Sequence, residues 1–117
     1  MRKELENRLV ELALSISRIC KLLDKSFLSQ HLTTQILRSS TSAALNYSES
    51  QAAESRNDFI HKTSIVLKEL RETKVSLKLF VDSIKKEEMQ KLAVCQDECD
   101  QLVAIFHKTV MSAKQKK

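Results

Sequence analysis

Cys95 and Cys99 stand four residues apart. On a helix that spacing puts both thiols on one face, where they could supply two ligands to a zinc ion. Zinc asks for about four ligands, and His107 is two turns further along the same segment. The pair also falls on the apolar seam of its segment, so both read as buried thiols, and Cys20 reads likewise. Glu49 and His61 could form an acid–base pair if a turn brought them together. No nucleophile, oxyanion-hole loop or phosphate-cradling glycine is available to join them. The simpler reading makes Glu49 a charge partner of His61 or Lys62, and Arg38 a partner of Glu69 or Glu72. Arg71, Lys74 and Lys78 share a helical face and could contact phosphates, as could the tail Lys114, Lys116 and Lys117. Tyr47 is the only aromatic with a polar handle, so any nucleic-acid binding is expected to be backbone-directed and salt-sensitive rather than built on base stacking. Nothing calls for a cofactor, a metal or a small-molecule substrate.

Four helical stretches must position these groups, at about 3–25, 30–53, 56–84 and 86–114. The first carries Leu5, Leu9, Leu12, Ile16, Ile19 and Leu23 at steps of three and four. Asp24 to Ser29 reads as a connection, with Ser29 as the N-cap of the second helix. That helix turns inward Leu32, Ile36, Ser39 or Ser40, Ala43, Tyr47 and Ser50. Its run of small residues from Ser39 to Ala44 would let a neighbouring helix approach closely, within the chain or from another copy. Ser55 to Asp58 fits a capping box, the serine hydroxyl accepting a backbone N–H while the acid reaches back. The third helix has Phe59, Thr63, Val66, Leu70, Leu77, Val81 and Ile84 on its stripe, and the fourth has Leu92, Cys95, Cys99, Leu102, Phe106 and Val110. Pairing helices two and three antiparallel about the Glu54-Ser55 turn puts residues whose numbers sum to about 109 at one level. Arg38 then faces Glu69 to Glu72, and Glu49 faces Ile60 to Lys62.

Composition agrees. The 117 residues contain no glycine and no proline, where average usage would give roughly eight and six. Without either, a fold with many tight turns is excluded, and long helices joined by short polar links remain. Matched lengths and short links imply a single all-α domain over 1–117, an antiparallel up-down-up-down four-helix bundle. Three cysteines, no signal-peptide pattern and no apolar run near the ~18 residues of a bilayer span lead us to expect a cytoplasmic protein with no membrane partner. Val10, Leu14, Leu37, Leu45, Ile65, Leu67 and Leu79 lie off the main stripes, a surplus that suggests buried contacts between copies. The net charge of +5 permits nucleic-acid attraction without demanding it.

The block from Leu32 to Phe80 resembles the bacterial four-helix-bundle proteins known as 23S rRNA intervening-sequence proteins. The resemblance is carried by Gln35-Ile36-Leu37-Arg38-Ser39, by Ser42, Asn46 and Glu49, and by two longer runs. These are Glu54-Ser55-Arg56-Asn57-Asp58-Phe59-Ile60-His61-Lys62 and Leu67-Lys68-Glu69-Leu70-Arg71-Glu72-Thr73. It implies an antiparallel bundle assembling as a ring-like homopentamer, encoded inside inserts of large-subunit rRNA genes or free-standing. A related accessory protein of diversity-generating retroelements is a basic pentamer that binds a reverse transcriptase and nucleic acid. Two departures stand out: Val75-Ser76 where many relatives have Tyr-Trp, and Ala44 where they often have Gly. The expected function is therefore that of a non-enzymatic, homo-oligomeric scaffold or adaptor for a protein or ribonucleoprotein partner. The alternative is direct, weakly specific RNA or DNA binding.

Overall fold

The structure, a computed structural model, describes residues 2–116. They form α1 (Arg2–Cys20), α2 (Phe27–Ser50), α3 (Arg56–Leu79) and α4 (Met89–Gln115), with short 3-10 turns at Val81–Ser83 and Lys86–Glu88. Among the described residues there is no strand. A bridge between Leu23 and Ile84, with the Asp24 N–H to Ser83 carbonyl bond (2.8 Å), ties two connections together.

The connections explain how a chain without glycine turns. Among the described residues none has positive φ. The bends are made by extended residues instead: Ser26 (φ −68°, ψ 162°), Ser55 (−152°, 166°), Ile84 (−119°, 145°) and Lys85 (−67°, 147°). All these angles are open to any L-residue. The N-cap of α2 is Ser26, not the expected Ser29. Ser26 Oγ accepts the N–H of Ser29 at 3.1 Å, and Ser29, buried inside the first turn, donates its own hydroxyl to Asp24 Oδ1 at 2.6 Å. The Ser29 hydroxyl first, and then Ser26, whose N–H donates to Asp24 Oδ1 at 3.1 Å, hold the Asp24 carboxyl below its usual range. Ser55 caps α3 as expected, accepting from the Asp58 N–H at 3.0 Å. The return bond from the Asp58 side chain is not formed.

One hydrophobic core runs through all four helices. Leu9, Leu12, Ile16 and Ile19 enter it from α1, and every expected inward residue of α2 and α4 is buried. Tyr47 and Phe106 meet edge to face, ring centres 5.3 Å apart, a favourable aromatic geometry. Thr63 donates its hydroxyl to the Phe59 carbonyl and Thr73 to that of Glu69, whereas the buried Ser40 hydroxyl has no partner among the described residues.

Two expectations about the core are corrected. Val81 is exposed, and fully buried Phe80 fills the inward place after Leu77. The α-helix stops at Leu79, and the tighter 3-10 turn advances each residue by about 120°, which swings Val81 outward. Leu67, counted among the surplus apolar residues, is buried in the core of this same chain. Val10, Leu14, Leu45 and Leu79 are exposed, and Leu37 and Ile65 are half-buried.

Each helix packs on its neighbours in sequence, and α1 also meets α4. The α2–α3 seam is the most extensive and α1–α4 the least. No helix among the described residues is long and apolar enough to cross a membrane.

Candidate functional site

The residues singled out from the sequence converge on the α2–α3 face. Small side chains make this possible: Ser39, Ser40 and Ala43 are buried, and Ser39 Oγ lies 2.7 Å from Thr73 Oγ1. At the edge of that contact Arg38 bridges two acids, Nη1 to Glu69 Oε2 at 3.1 Å and Nη2 to Glu72 Oε1 at 2.7 Å. The hydrogen bond to Glu69, then its charge, raises the Arg38 pKa. Glu69 is buried while Arg38 is half exposed, and the second carboxylate oxygen of Glu69 has no partner among the described residues. Lys62 Nζ meets Glu49 Oε1 at 2.7 Å, a bond that raises the lysine pKa. Of the two partners expected for Glu49, His61 takes no part and stays exposed. Asn46 closes on its own helix, donating to the Ser42 carbonyl and hydroxyl.

Outside this polar edge lies an open groove of about 630 Å³. Its α2 wall is His31, Leu32, Gln35 and Ser39; its α3 wall is Lys68, Arg71, Glu72, Val75 and Ser76. Val75 and Ser76 both line it.

The basic stripe is redistributed. Lys74 leans towards α4, 3.4 Å from Asp100, and Arg71 Nη2 lies 3.2 Å from His107 Nδ1. Lys78 is exposed and makes no ion pair among the described residues. Lys68 shares the outward face with Arg71 and Lys78, a membership legible in their three-, four- and three-residue steps through Val75. Lys114 and Lys116 are exposed on or just beyond the end of α4, where the Lys116 carbonyl accepts a bond from Arg56. Lys117 lies outside the described residues.

The three cysteines are free, and among the described residues no cluster of three or more His, Cys, Asp or Glu side chains could hold a metal. Burial raises all three thiols, Cys99 to about 12. A thiol held there is un-ionised at neutral pH and unsuited to nucleophilic attack.

The profile of the 23S rRNA-intervening sequence protein family matches residues 4–108. The chain belongs to that family. Its fold is similar to the crystal structure of a protein of unknown function from the S23 ribosomal protein family of Bacteroides thetaiotaomicron. The two superpose with a TM-score of 0.76 at 30% identity, covering 91% of this chain and 97% of that one. No curated protein matches the chain. The match also takes in most of α1 and α4, beyond the middle block where the resemblance was read.

Proposed function

We propose that this family member is a non-enzymatic, cytoplasmic, antiparallel up-down-up-down bundle. It assembles as a homo-oligomer, a five-membered ring, and serves as a scaffold or adaptor for a protein or ribonucleoprotein partner. The antiparallel order is supported by the links between α2 and α3, since Arg38 meets Glu69 and Glu72 whereas the later Glu49 meets the earlier Lys62. The observation that carries the assembly is apolar surface left over by a core already filled. Leu14, Leu45, Val75, Leu79 and Val94 are 48% to 64% exposed, and Phe27 is 91% exposed. A lone exposed leucine needs no explanation, but a recurrence on every helix is what subunit contacts require. The non-enzymatic reading is supported by dispersal: His31, His61 and His107 sit on three different helices, and the Cys95 and Cys99 thiols are buried. Sedimentation equilibrium tests the assembly. Several copies per particle are expected at micromolar concentration, and a lone chain at every concentration would overturn the reading.

A second reading, direct RNA or DNA binding, is favoured by one observation. The α3 helix carries six lysines and arginines against three acids, more cationic excess than any other helix. Filter binding of labelled rRNA fragments at two salt concentrations separates the two readings. Retention that collapses with salt supports the second, and no retention at low salt removes it.

A further inference from the structure

Where α3 begins and α4 finishes, a groove of about 650 Å³ lies open between the two helices. Half-buried Phe59, Ile105 and Ala113 give it an apolar floor. Its charged lining is Arg56, Lys108 and Lys116, all exposed, and no acid lines it. The α2–α3 groove, by contrast, has Glu72 in its wall. The one-sided charge has a source in the sequence: from Gln101 onward α4 contains no Asp or Glu. Among the described residues Arg56, Lys108 and Lys116 make no ion pair.

The acids at this end of the bundle are engaged elsewhere or stand outside the groove. Asp58 acts on Lys62 and Glu4 on Arg8, each helping to raise that partner's pKa. Glu54 precedes the Ser55 cap and is not part of the lining. Arg56 donates to the Lys116 carbonyl. That bond holds the guanidinium at the groove mouth, covers a carbonyl at the negative end of α4, and leaves further N–H donors on the arginine.

Lys108, Ser112 and Lys116 follow at four-residue steps, so they stand in a row about 12 Å long on one side of α4. A lone small anion answers one cation of such a row. A chain that repeats its negative charge answers all of them. Of such chains, a single nucleic-acid strand also carries flat rings to lay on an apolar floor, which a run of acidic residues lacks.

We infer that this groove takes one strand of nucleic acid, with phosphates along Lys108, Ser112 and Lys116, Arg56 opposite, and one base against Phe59. The contacts are mainly to the backbone, so sequence preference is weak. The inference rests on the direct-binding reading above and gives it a place. It moves the contact away from Lys74 and Arg71, which Asp100 and His107 engage.

Fluorescence anisotropy with a short labelled single-stranded RNA, at several salt concentrations, tests the groove. Lys108→Gln and Lys116→Gln are each expected to weaken binding about fivefold at low salt. Each should also lower the slope of log affinity against log salt by about 0.7. Lys114→Gln, on the opposite side of the same helix end, and Lys78→Gln, on α3, leave affinity within about twofold and the slope unchanged. All four lysines are exposed, and the helical melt of each variant stays native. A native chain that binds no RNA at low salt overturns the direct-binding reading and this site with it. A native chain that binds, with the Lys108 and Lys116 variants unchanged or the Lys114 and Lys78 variants equally weakened, overturns this site alone. So does displacement of the RNA by polyglutamate at equal charge concentration, or tighter binding of a duplex than of the single strand.

Discussion

The α2–α3 and α1–α4 seams both join helices that flank the same core, yet they are closed by different means. Between α2 and α3 the facing residues are small and hydroxylated. Ser39 and Thr73 touch at 2.7 Å, and charged links sit at the edge where Arg38 meets Glu69 and Glu72. Between α1 and α4 the side chains are bulkier, and the main polar link is Arg8. It grips Glu98 through Nε at 2.9 Å and Nη2 at 2.8 Å and reaches Gln101 at 3.2 Å. Further along, that seam opens into a groove of about 410 Å³ over Ile19, Leu22, Val94 and Cys95. Short side chains let two backbones come together, and large ones hold them apart.

The largest effect is expected from testing that difference directly. Ser39→Leu forces two more heavy atoms into the tight seam and should cost about 2–3 kcal/mol in urea unfolding. Cys95→Leu adds bulk beside the α1–α4 groove and should cost less than about 1 kcal/mol, because the side chain can lean into open space. Equal costs at the two sites would break the comparison.

Arg38→Ala comes next. It leaves the Glu69 carboxylate buried without its cation, and a loss of about 2 kcal/mol is expected, tempered by the half-exposed position of Arg38. Adding Glu69→Gln should recover most of that loss. If it does not, the arginine acts through packing of its stem and not through charge. Arg8→Ala is expected to cost about 1 kcal/mol, since both partners of its two-pronged link keep contact with solvent. A loss at Arg8 larger than that at Arg38 would reverse the ranking of the seams.

Glu49→Gln should have the smallest effect, a slight fall in melting temperature that fades in high salt, because the Glu49–Lys62 pair is exposed and screened. The pair raises the folded pKa of Lys62. Its contribution is therefore complete below the ordinary lysine pKa and disappears as pH climbs through the raised folded value. A native-minus-variant difference that persists above that range would show that Glu49 acts by some other route.

Much of this could be read in advance, and the reason is visible in particular residues. Leu9, Leu12, Ile16 and Ile19, or Leu92 through Val110, repeat at steps that only a helix converts into one face. The Arg38 and Glu49 links followed from a single turn at Glu54-Ser55, because once one short connection is known, antiparallel rods leave only one register. What escaped the reading lies where periodicity stops. Ser26 and Ser29 are both competent N-caps, and the choice rests on which one has extended backbone. Phe80 and Val81 exchange places because the helix ends one residue before Phe80.

The amino-acid order by itself determined that this chain is helical throughout its main elements, most of the residues that face inward, and the level at which charges meet across the α2–α3 turn. Those outcomes depend on local geometry and short-range register, which repeat from residue to residue. Only the tertiary structure decided which seam is tight and which is slack, that Lys74 turns to Asp100 and leaves Lys68 on the open groove, and that Leu67 belongs to the interior. These depend on how far apart packed helices come to rest, a distance set by side chains from several helices at once and carried by no single stretch of sequence.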